Sequence, residues 1–226
     1  MAHTEVTARY DYRMTPYMES LLRGRAADDP LSLQFLPDAR ELPTLPHEIS
    51  DPIGDAAFSP VKGIVHRYPD RVLLKVAHSC PVYCRFCFRR EMIGSKGEPF
   101  TVIRRLTDRG IVLLSQTVLL KGVNDCAPVL DALFRKLVRL RVRPYYLHHP
   151  DLAPGTSHFR VSIEVGQELM RTLRGTLSGL CMPTYVLDIP GGFGKVPIGP
   201  SYVGEKSASG FRVVQDANGK RHSYPE

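Results

Sequence analysis

Three of the five cysteines in this 226-residue chain lie within eight residues of each other. They are Cys80, Cys84 and Cys87, in the sequence His-Ser-Cys-Pro-Val-Tyr-Cys-Arg-Phe-Cys. Thiolates are soft ligands, and cysteines crowded in this way suit an iron–sulfur cluster. Three ligands would leave one iron of a four-iron cluster without a protein ligand, and an open metal position is where a substrate or cofactor can react.

Two alternatives for these cysteines remain open, a zinc site that lacks one ligand and a disulfide. The disulfide fits poorly because nothing marks the chain as secreted. The other two cysteines, Cys126 and Cys181, are isolated in the sequence. We interpret them as small buried hydrophobic residues.

A lysine and two arginines could bind an anionic cofactor. Lys195 follows a Gly-Gly-Phe-Gly loop, and a lysine amine can form a Schiff base with pyridoxal phosphate (PLP). Arg67 and Arg71 flank a proline turn, and the guanidinium group matches the oxygens of a phosphate. From spacing alone, an ordinary surface turn and two surface arginines are the better interpretations.

Two carboxylates and two histidines come at or after the ends of predicted strands. Asp151 and Asp188 could hold an ammonium group through charge-assisted hydrogen bonds, or each could cap a turn. His148 and His149 could be metal ligands, although a histidine pair at a strand end is more often structural.

Alternating strand and helix patterns would position these residues. Apolar runs predict four strands, near residues 72–77, 111–117, 144–148 and 182–187. Helical periodicity predicts helices between the later strands, with Asn124 or Asp125 capping one and Ser162 the next. Shorter helices are predicted near Pro16–Leu22 and Val102–Arg109. This order indicates a parallel α/β architecture, in which functional groups collect at the C-terminal ends of the strands.

Composition and charge indicate a globular protein without a nucleic-acid or membrane partner. Hydrophobic residues make up 43% and charged residues 23% of the chain, which is ordinary for a soluble domain. The formal net charge of +7 comes from scattered basic residues and not from a basic block. No apolar run approaches the roughly 18 residues of a membrane span, and the N-terminus lacks the features of a signal peptide. We therefore expect a cytoplasmic protein.

We expect three regions along the chain. Residues 1–60 are predicted to form an irregular, partly helical N-terminal region, and residues 61–204 the α/β domain. Residues 205–226 are predicted to form a polar tail with one short strand near Phe211–Val214.

The cysteine segment resembles a known family. Cys-x3-Cys-x-aromatic-Cys, with Phe86 as the aromatic residue, is similar to the signature of radical S-adenosylmethionine (SAM) enzymes. The continuation Phe88-Arg89-Arg90 resembles the lysine 2,3-aminomutase branch of that superfamily. The likeness extends over residues 51–94 and 110–204, with matching segments at 116–125, 143–146, 158–160 and 190–195.

The resemblance implies two cofactors besides SAM. Cys80, Cys84 and Cys87 would hold a [4Fe–4S] cluster whose open iron is chelated by SAM. Reduction of the cluster, by a donor such as flavodoxin or ferredoxin, would cleave SAM to a 5′-deoxyadenosyl radical that abstracts hydrogen from the β-carbon of lysine. The amino group would then migrate while bound to PLP, and β-lysine would result.

The resemblance also implies roles for the PLP-binding residues. Arg67, Tyr68 and Arg71 match the positions that hold the PLP phosphate in the family. Lys195 matches the lysine that bonds covalently to PLP.

The substrate lysine would be gripped at both ends. Arg89 matches the arginine that pairs with the substrate carboxylate. Asp151 and Asp188 match the carboxylates that hold the side-chain ammonium group.

The chain departs from the family between Arg90 and Gly110. There the family has several more strand–helix units, including a Gly-Gly-Asp-Pro type motif for SAM, whereas this chain has only a short connector. A parallel crossover needs about a dozen residues, so the connector can hold one crossover at most. These observations predict an incomplete TIM-type radical SAM barrel of about four parallel strands, whose open edges could favour a homo-oligomer.

Three functions remain in competition after this reading. The first is a radical SAM, PLP-dependent aminomutase acting on lysine, slower than a full-length relative. The second is a degenerate cofactor-binding relative without turnover, because the SAM-binding segment is missing. The third is a structural zinc protein.

Overall fold

A computed structural model describes residues 2–60, 64–69, 71–74, 80, 82–90, 112–208 and 210–225, with only the backbone described at residues 2–3 and 71–74. The helices are α1 (Ala2–Arg9), α2 (Pro16–Leu22), α3 (Pro30–Phe35), α4 (Ala127–Arg139) and α5 (Ile163–Thr176). The strands are β1 (Ile64–Tyr68), β2 (Arg71–Leu74), β3 (Leu113–Val118), β4 (Val142–His148), β5 (Thr184–Asp188), β6 (Lys195–Pro197), β7 (Val203–Lys206), β8 (Phe211–Gln215) and β9 (Arg221–Pro225). The predicted helix at Val102–Arg109 lies outside the described residues.

A four-stranded sheet in the order β3-β4-β5-β6 forms the centre of the fold. Strands β3, β4 and β5 are parallel, and β6 runs antiparallel to β5. Helix α4 connects β3 to β4 and helix α5 connects β4 to β5, as parallel strands require. The α/β class is therefore confirmed, and three of the four predicted strands belong to this sheet.

The described part of the strand predicted near residues 72–77 belongs to β2, which is not in the four-stranded sheet. Strand β2 pairs antiparallel with β1, with Val65 opposite Leu73 and Tyr68 opposite Arg71. Only two residues separate β1 from β2. A connection that short joins antiparallel strands, whereas a parallel pair needs a long crossover. The prediction of four parallel strands was wrong at this point, because β1 was not recognised as a strand.

Helices α4 and α5 pack on the sheet through apolar faces. Their buried residues include Leu130 and Phe134 on α4 and Met170 and Leu173 on α5. The same core cluster includes Leu119, Leu147, Leu177, Cys181 and Tyr185. Cys181 is thus a buried hydrophobic residue as predicted, whereas Cys126 is exposed and corrects that interpretation.

The cap predicted for α5 is present in the structure, whereas the cap predicted for α4 is not. The Ser162 hydroxyl accepts a hydrogen bond from the Val165 amide at 3.3 Å and caps α5. Helix α4 begins after Cys126, which makes no side-chain cap. The Asn124 side chain instead binds the loop after β3, accepting from the Leu120 amide at 2.7 Å. Asparagine side chains bond local backbone in several ways, so sequence alone did not fix this choice.

The N-terminal region packs against the cysteine segment through a buried ion cluster. The Glu41 carboxylate is fully buried and accepts two hydrogen bonds from Arg85, at 2.6 Å from Nη2 and 3.0 Å from Nε. Arg90 also donates to Glu41, and its guanidinium lies 3.6 Å from the centre of the Tyr10 ring. Arg85 lies between Cys84 and Cys87, and Arg90 follows Cys87. Glu41 therefore fixes the position of the cysteine segment on the N-terminal region.

The C-terminal residues form more structure than the sequence predicted. Strands β7, β8 and β9 make a separate antiparallel sheet, where a tail with one short strand was expected. Alternation of polar and apolar residues is weak there, which hides strands from sequence patterns. Among the described residues, no helix is long and apolar enough to cross a membrane.

Candidate functional site

A cavity of about 590 Å³ opens beside the C-terminal ends of β3, β4 and β5. Its volume lies in the range typical of small-molecule sites. Six residues to which the family resemblance gave a role line this one cavity: Arg67, Tyr68, Arg89, Asp151, Asp188 and Lys195. They come from separate parts of the chain, and the fold brings them together.

Strand pairing holds Lys195 against Asp188. Asp188 is the last residue of β5 and lies directly opposite Lys195, the first residue of β6. The turn between them is closed by a hydrogen bond from the Ile189 amide to the Gly194 carbonyl at 2.8 Å, with Gly194 at a φ of 94°. The Lys195 ammonium reaches both oxygens of Asp188, at 2.6 and 2.7 Å.

Asp188 has a second partner, His148. The His148 Nδ1 atom lies 3.2 Å from Asp188, and its Nε2 atom lies 3.0 Å from the Gln116 side-chain oxygen. Burial opposes ionisation of Asp188, but the hydrogen bonds from His148 and Lys195 outweigh burial and hold its pKa below the ordinary value. Asp188 is therefore an ionised acceptor at neutral pH.

Asp151 lies in a different electrostatic environment in the same cavity. Burial, and then the charge of Asp188, raise the pKa of Asp151 to about 6. Two nearby carboxylates whose pKa values are driven apart are typical of functional sites. An ammonium group placed between Asp151 and Asp188 would offset both the cost of burying their charges and the repulsion between the two carboxylates.

The ionisation of Asp151 should therefore cost stability in the ligand-free protein. Its folded-state pKa is above the ordinary value of 3.8, so the folded state binds this proton more tightly than the unfolded state does. The stabilisation of the folded state by protonated Asp151 is fully present below about pH 4 and is lost as the pH rises through about 6. We expect Asp151→Asn to raise the free energy of unfolding at pH 8 by up to about 3 kcal/mol, with no gain near pH 4.

Urea denaturation of both proteins at several pH values measures this difference. Asp131→Asn is the matched control, because Asp131 forms an exposed pair with Arg135 on α4. It should change stability by less than about 1 kcal/mol at every pH. A gain for Asp151→Asn that is the same at pH 4 and pH 8 would contradict this account.

One part of the cavity wall carries two arginines joined by a carboxylate. Asp55 places one oxygen 3.3 Å from Arg67 Nη2 and the other 3.3 Å from Arg89 Nη2. The Nε atoms of both arginines are buried and have no hydrogen-bond partner among the described residues. The Arg67 and Arg89 side chains are 14% and 32% exposed, and guanidinium groups that line a cavity can bind an anion there. Tyr68 lines the same wall, and the side chain of Arg71 lies outside the described residues.

Three residues of this cavity were missed or interpreted differently from the sequence. Asp55 lies in a turn that reads as part of an irregular region, and nothing in its spacing marks it. Gln116 stood only within a matching segment, without a role. His148 lines the cavity and contacts Asp188, whereas His149 Nδ1 lies 2.8 Å from the Tyr185 hydroxyl. The alternation of side chains along β4, which separates His148 from His149, was the available signal.

The three clustered cysteines lie outside this cavity lining. Cys80 is exposed, whereas Cys84 and Cys87 are half-buried beside a cavity of about 10 Å³, which has room for at most a water molecule. Burial, and then the charges of the neighbouring Cys87 and Cys80, raise the pKa of the Cys84 thiol to about 12. Burial also raises the pKa of Cys87. Three thiols that influence one another are a suitable donor set for an iron–sulfur cluster.

The side-chain positions are not those of a formed metal site. Across the described ranges, no three His, Cys, Asp or Glu side chains are grouped closely enough to hold a metal ion. The three thiols are thus chemically suitable ligands for a cluster, but their described positions are not those of a formed cluster site.

The residues of the larger cavity fit PLP better. The phosphate of PLP needs donors such as the Arg67 guanidinium group, and the carbonyl of PLP needs an amine such as Lys195. Both are present in one cavity of suitable size. The fold and the cavity together define an α/β protein with one small-molecule-sized cavity lined by arginines, carboxylates and a lysine.

Comparison with known proteins identifies the family. A family model described as lysine-2,3-aminomutase matches residues 170–226. An L-lysine 2,3-aminomutase from Clostridium subterminale is 31% identical, over 84% of this chain and 69% of the relative. A putative L-lysine 2,3-aminomutase from Aquifex aeolicus is 31% identical, over 89% of this chain and 81% of the relative. The chain belongs to the lysine 2,3-aminomutase family.

Relatives with another substrate name also match. A glutamate 2,3-aminomutase from Clostridioides difficile is 26% identical, over 89% of this chain and 71% of the relative. The Clostridium subterminale alignment spans 287 residues, whereas 84% of a chain of 226 is about 190 residues. Roughly one third of the aligned span thus has no counterpart here, which agrees with the short connector after Arg90.

Proposed function

We propose that this chain is a radical SAM, PLP-dependent aminomutase that converts L-lysine to β-lysine by 1,2-amino migration. The observation that carries the proposal is a single cavity lined by two arginines, by the carboxylates of Asp151 and Asp188, and by a lysine. Such a cavity complements a molecule with an anionic end and a cationic end. PLP and lysine together present these charges.

Arg67 and Lys195 bind PLP in this proposal. Arg67 would hold the phosphate with help from Tyr68 and Arg71, and Lys195 would supply the amine for the cofactor carbonyl. For that role Lys195 would have to lose a proton to solvent and leave Asp188, which it contacts at 2.6 Å. That movement removes the cation from Asp188 while His148 keeps the carboxylate in place.

Asp188 and Asp151 then hold the side-chain ammonium group of the substrate. Once Lys195 has moved, two carboxylates in a largely buried setting have lost their cation, so an incoming ammonium group is strongly favoured. Arg89 pairs with the substrate carboxylate across the cavity. Two carboxylates at the far end would repel the side chain of glutamate, so these residues favour lysine over glutamate.

The three cysteines serve the second part of the site. Cys80, Cys84 and Cys87 would hold a [4Fe–4S] cluster with SAM at its open iron. When bound, PLP carries the migrating amino group, and the cluster with SAM supplies the hydrogen-abstracting radical. The four-stranded sheet is compatible with part of a TIM-type radical SAM barrel, and the proposal extends the fold to that class.

A second candidate is a cofactor-binding relative that does not turn over. It is favoured by the missing span after Arg90, where the family has its SAM motif. Radical chemistry needs close placement of the reacting atoms, and a displacement of about 1 Å can cost a hundredfold in rate. We therefore expect this chain to be much slower than a full-length relative.

Anaerobic incubation with SAM, PLP, dithionite and one amino acid tests the proposal. We expect β-lysine from L-lysine, slowly, and no β-glutamate from L-glutamate. SAM cleavage without any β-amino acid would support the second candidate. β-Glutamate as the main product would refute the lysine assignment.

A further inference from the structure

We propose that Asp55 is a positioning residue that orients Arg89 for the substrate carboxylate and, to a smaller extent, Arg67 for the cofactor phosphate. Its carboxylate is 4% exposed and contacts both guanidinium groups, one through each oxygen. A single buried carboxylate thus sets the spacing between two groups that must bind two different anions. This inference rests on the proposed function for the identity of those anions.

The turn that carries Asp55 is fixed independently of the two arginines. The Asp51 side chain accepts hydrogen bonds from the amides of Asp55 and Ala56, at 2.9 and 2.7 Å. Gly54 has a φ of 67°, and a Cβ there would lie 2.6 Å from the Gly192 amide nitrogen. Only glycine permits this approach, so the turn packs directly on the loop before Lys195.

The two arginines depend on Asp55 to different degrees. Arg67 also donates to the Ile53 carbonyl, so its guanidinium has a second anchor. For Arg89, Asp55 is the one hydrogen-bond partner within the described ranges, and its guanidinium otherwise rests 4.5 Å from the centre of the Phe88 ring. Loss of Asp55 should therefore disorder Arg89 more than Arg67.

The length of the two contacts suits a shared role. Charge-assisted hydrogen bonds are usually 2.7 to 2.9 Å long, whereas both Asp55 contacts are 3.3 Å. Asp55 thus holds the guanidinium groups loosely, and both arginines still line the cavity that an anion would enter. One carboxylate against two arginines also leaves net positive charge on this wall for that anion.

Titration of the PLP-loaded protein with two amines tests the inference without SAM or the cluster. The amines are L-lysine and 1,5-diaminopentane, which has both amino groups of lysine but no carboxylate, and the readout is the shift of the PLP absorption band. For Asp55→Asn we expect the affinity for lysine to fall about tenfold. The affinity for 1,5-diaminopentane should change by less than about twofold, because Arg89 has no carboxylate to bind. The exposed-pair variant Asp131→Asn should leave both affinities unchanged.

A second measurement needs no cofactor. Phenylglyoxal modifies accessible arginines, and mass spectrometry of the ligand-free protein reports the modified positions. We expect Arg89 to react several times faster in Asp55→Asn than in the wild type, and faster relative to Arg67. Unchanged reactivity of Arg89, or an equal loss of affinity for both amines, would overturn the role of Asp55. Failure of the wild-type protein to bind PLP would instead overturn the proposed function, while the arginine reactivity would still decide the role of Asp55.

Discussion

The variant Cys84→Ala is expected to bind no iron–sulfur cluster under anaerobic reconstitution, whereas the wild type should bind about four irons per chain. Cys84 is the middle one of the three cysteines in the sequence, and its side chain is half-buried in the structure. Two thiols in the same loop are too few to retain a cluster that already lacks one protein ligand. Iron and sulfide analysis, with the visible absorption of the cluster, measures the loss.

The matched control is Cys126→Ala. Cys126 is exposed at the start of α4 and makes no side-chain hydrogen bond at the helix cap. This variant should bind as much iron as the wild type. Wild-type protein that binds one zinc and no iron would contradict the cluster and support a structural zinc site.

The variant Lys195→Arg is expected to lose the absorption band that PLP gives when it bonds to a lysine. The guanidinium group keeps a cation beside Asp188 but does not lose its proton at neutral pH, so it cannot react with the cofactor carbonyl. Binding of PLP through its phosphate should persist with lower affinity, because Arg67 is unchanged.

Lys136→Arg is the control for this prediction. Lys136 is exposed on α4 and does not line the cavity. It should keep the full absorption band. Retention of the band in Lys195→Arg would mean that another lysine binds the cofactor.

Local sequence patterns predicted the elements better than their pairing. The apolar faces of α4 and α5 and the short helix α2 follow from periodicity and from Pro16 in a first turn. The partner of β2 did not follow, because Arg71–Leu74 has the same apolar character whether it pairs with β1 or with the larger sheet. Strand pairing is decided by the length of the connection and by tertiary packing.

The site was predicted mainly through resemblance and only weakly through spacing. Arg67 alone reads as a surface arginine and Lys195 alone as part of a turn, yet both line one cavity. Because the two residues are far apart in the sequence, their proximity in the cavity follows only from the folded structure. The roles assigned to these residues stay proposals until ligand binding is measured.

Asp55 shows what sequence reasoning could not reach here. Its partners Arg67 and Arg89 lie 12 and 34 residues away in the chain. Their meeting depends on Gly54 packing against the Gly191–Gly192 backbone. The only sign of such a close approach of two loops in the sequence is a glycine, and glycine also occurs for many other structural reasons.

The most direct test of the account is to locate covalently bound PLP. Borohydride reduction of the PLP-loaded wild-type protein, followed by peptide mapping, identifies the lysine that carries the cofactor. The account predicts one stable adduct, at Lys195, whose formation is suppressed by excess inorganic phosphate competing at Arg67. Adducts spread over other lysines, with none at Lys195, would contradict it.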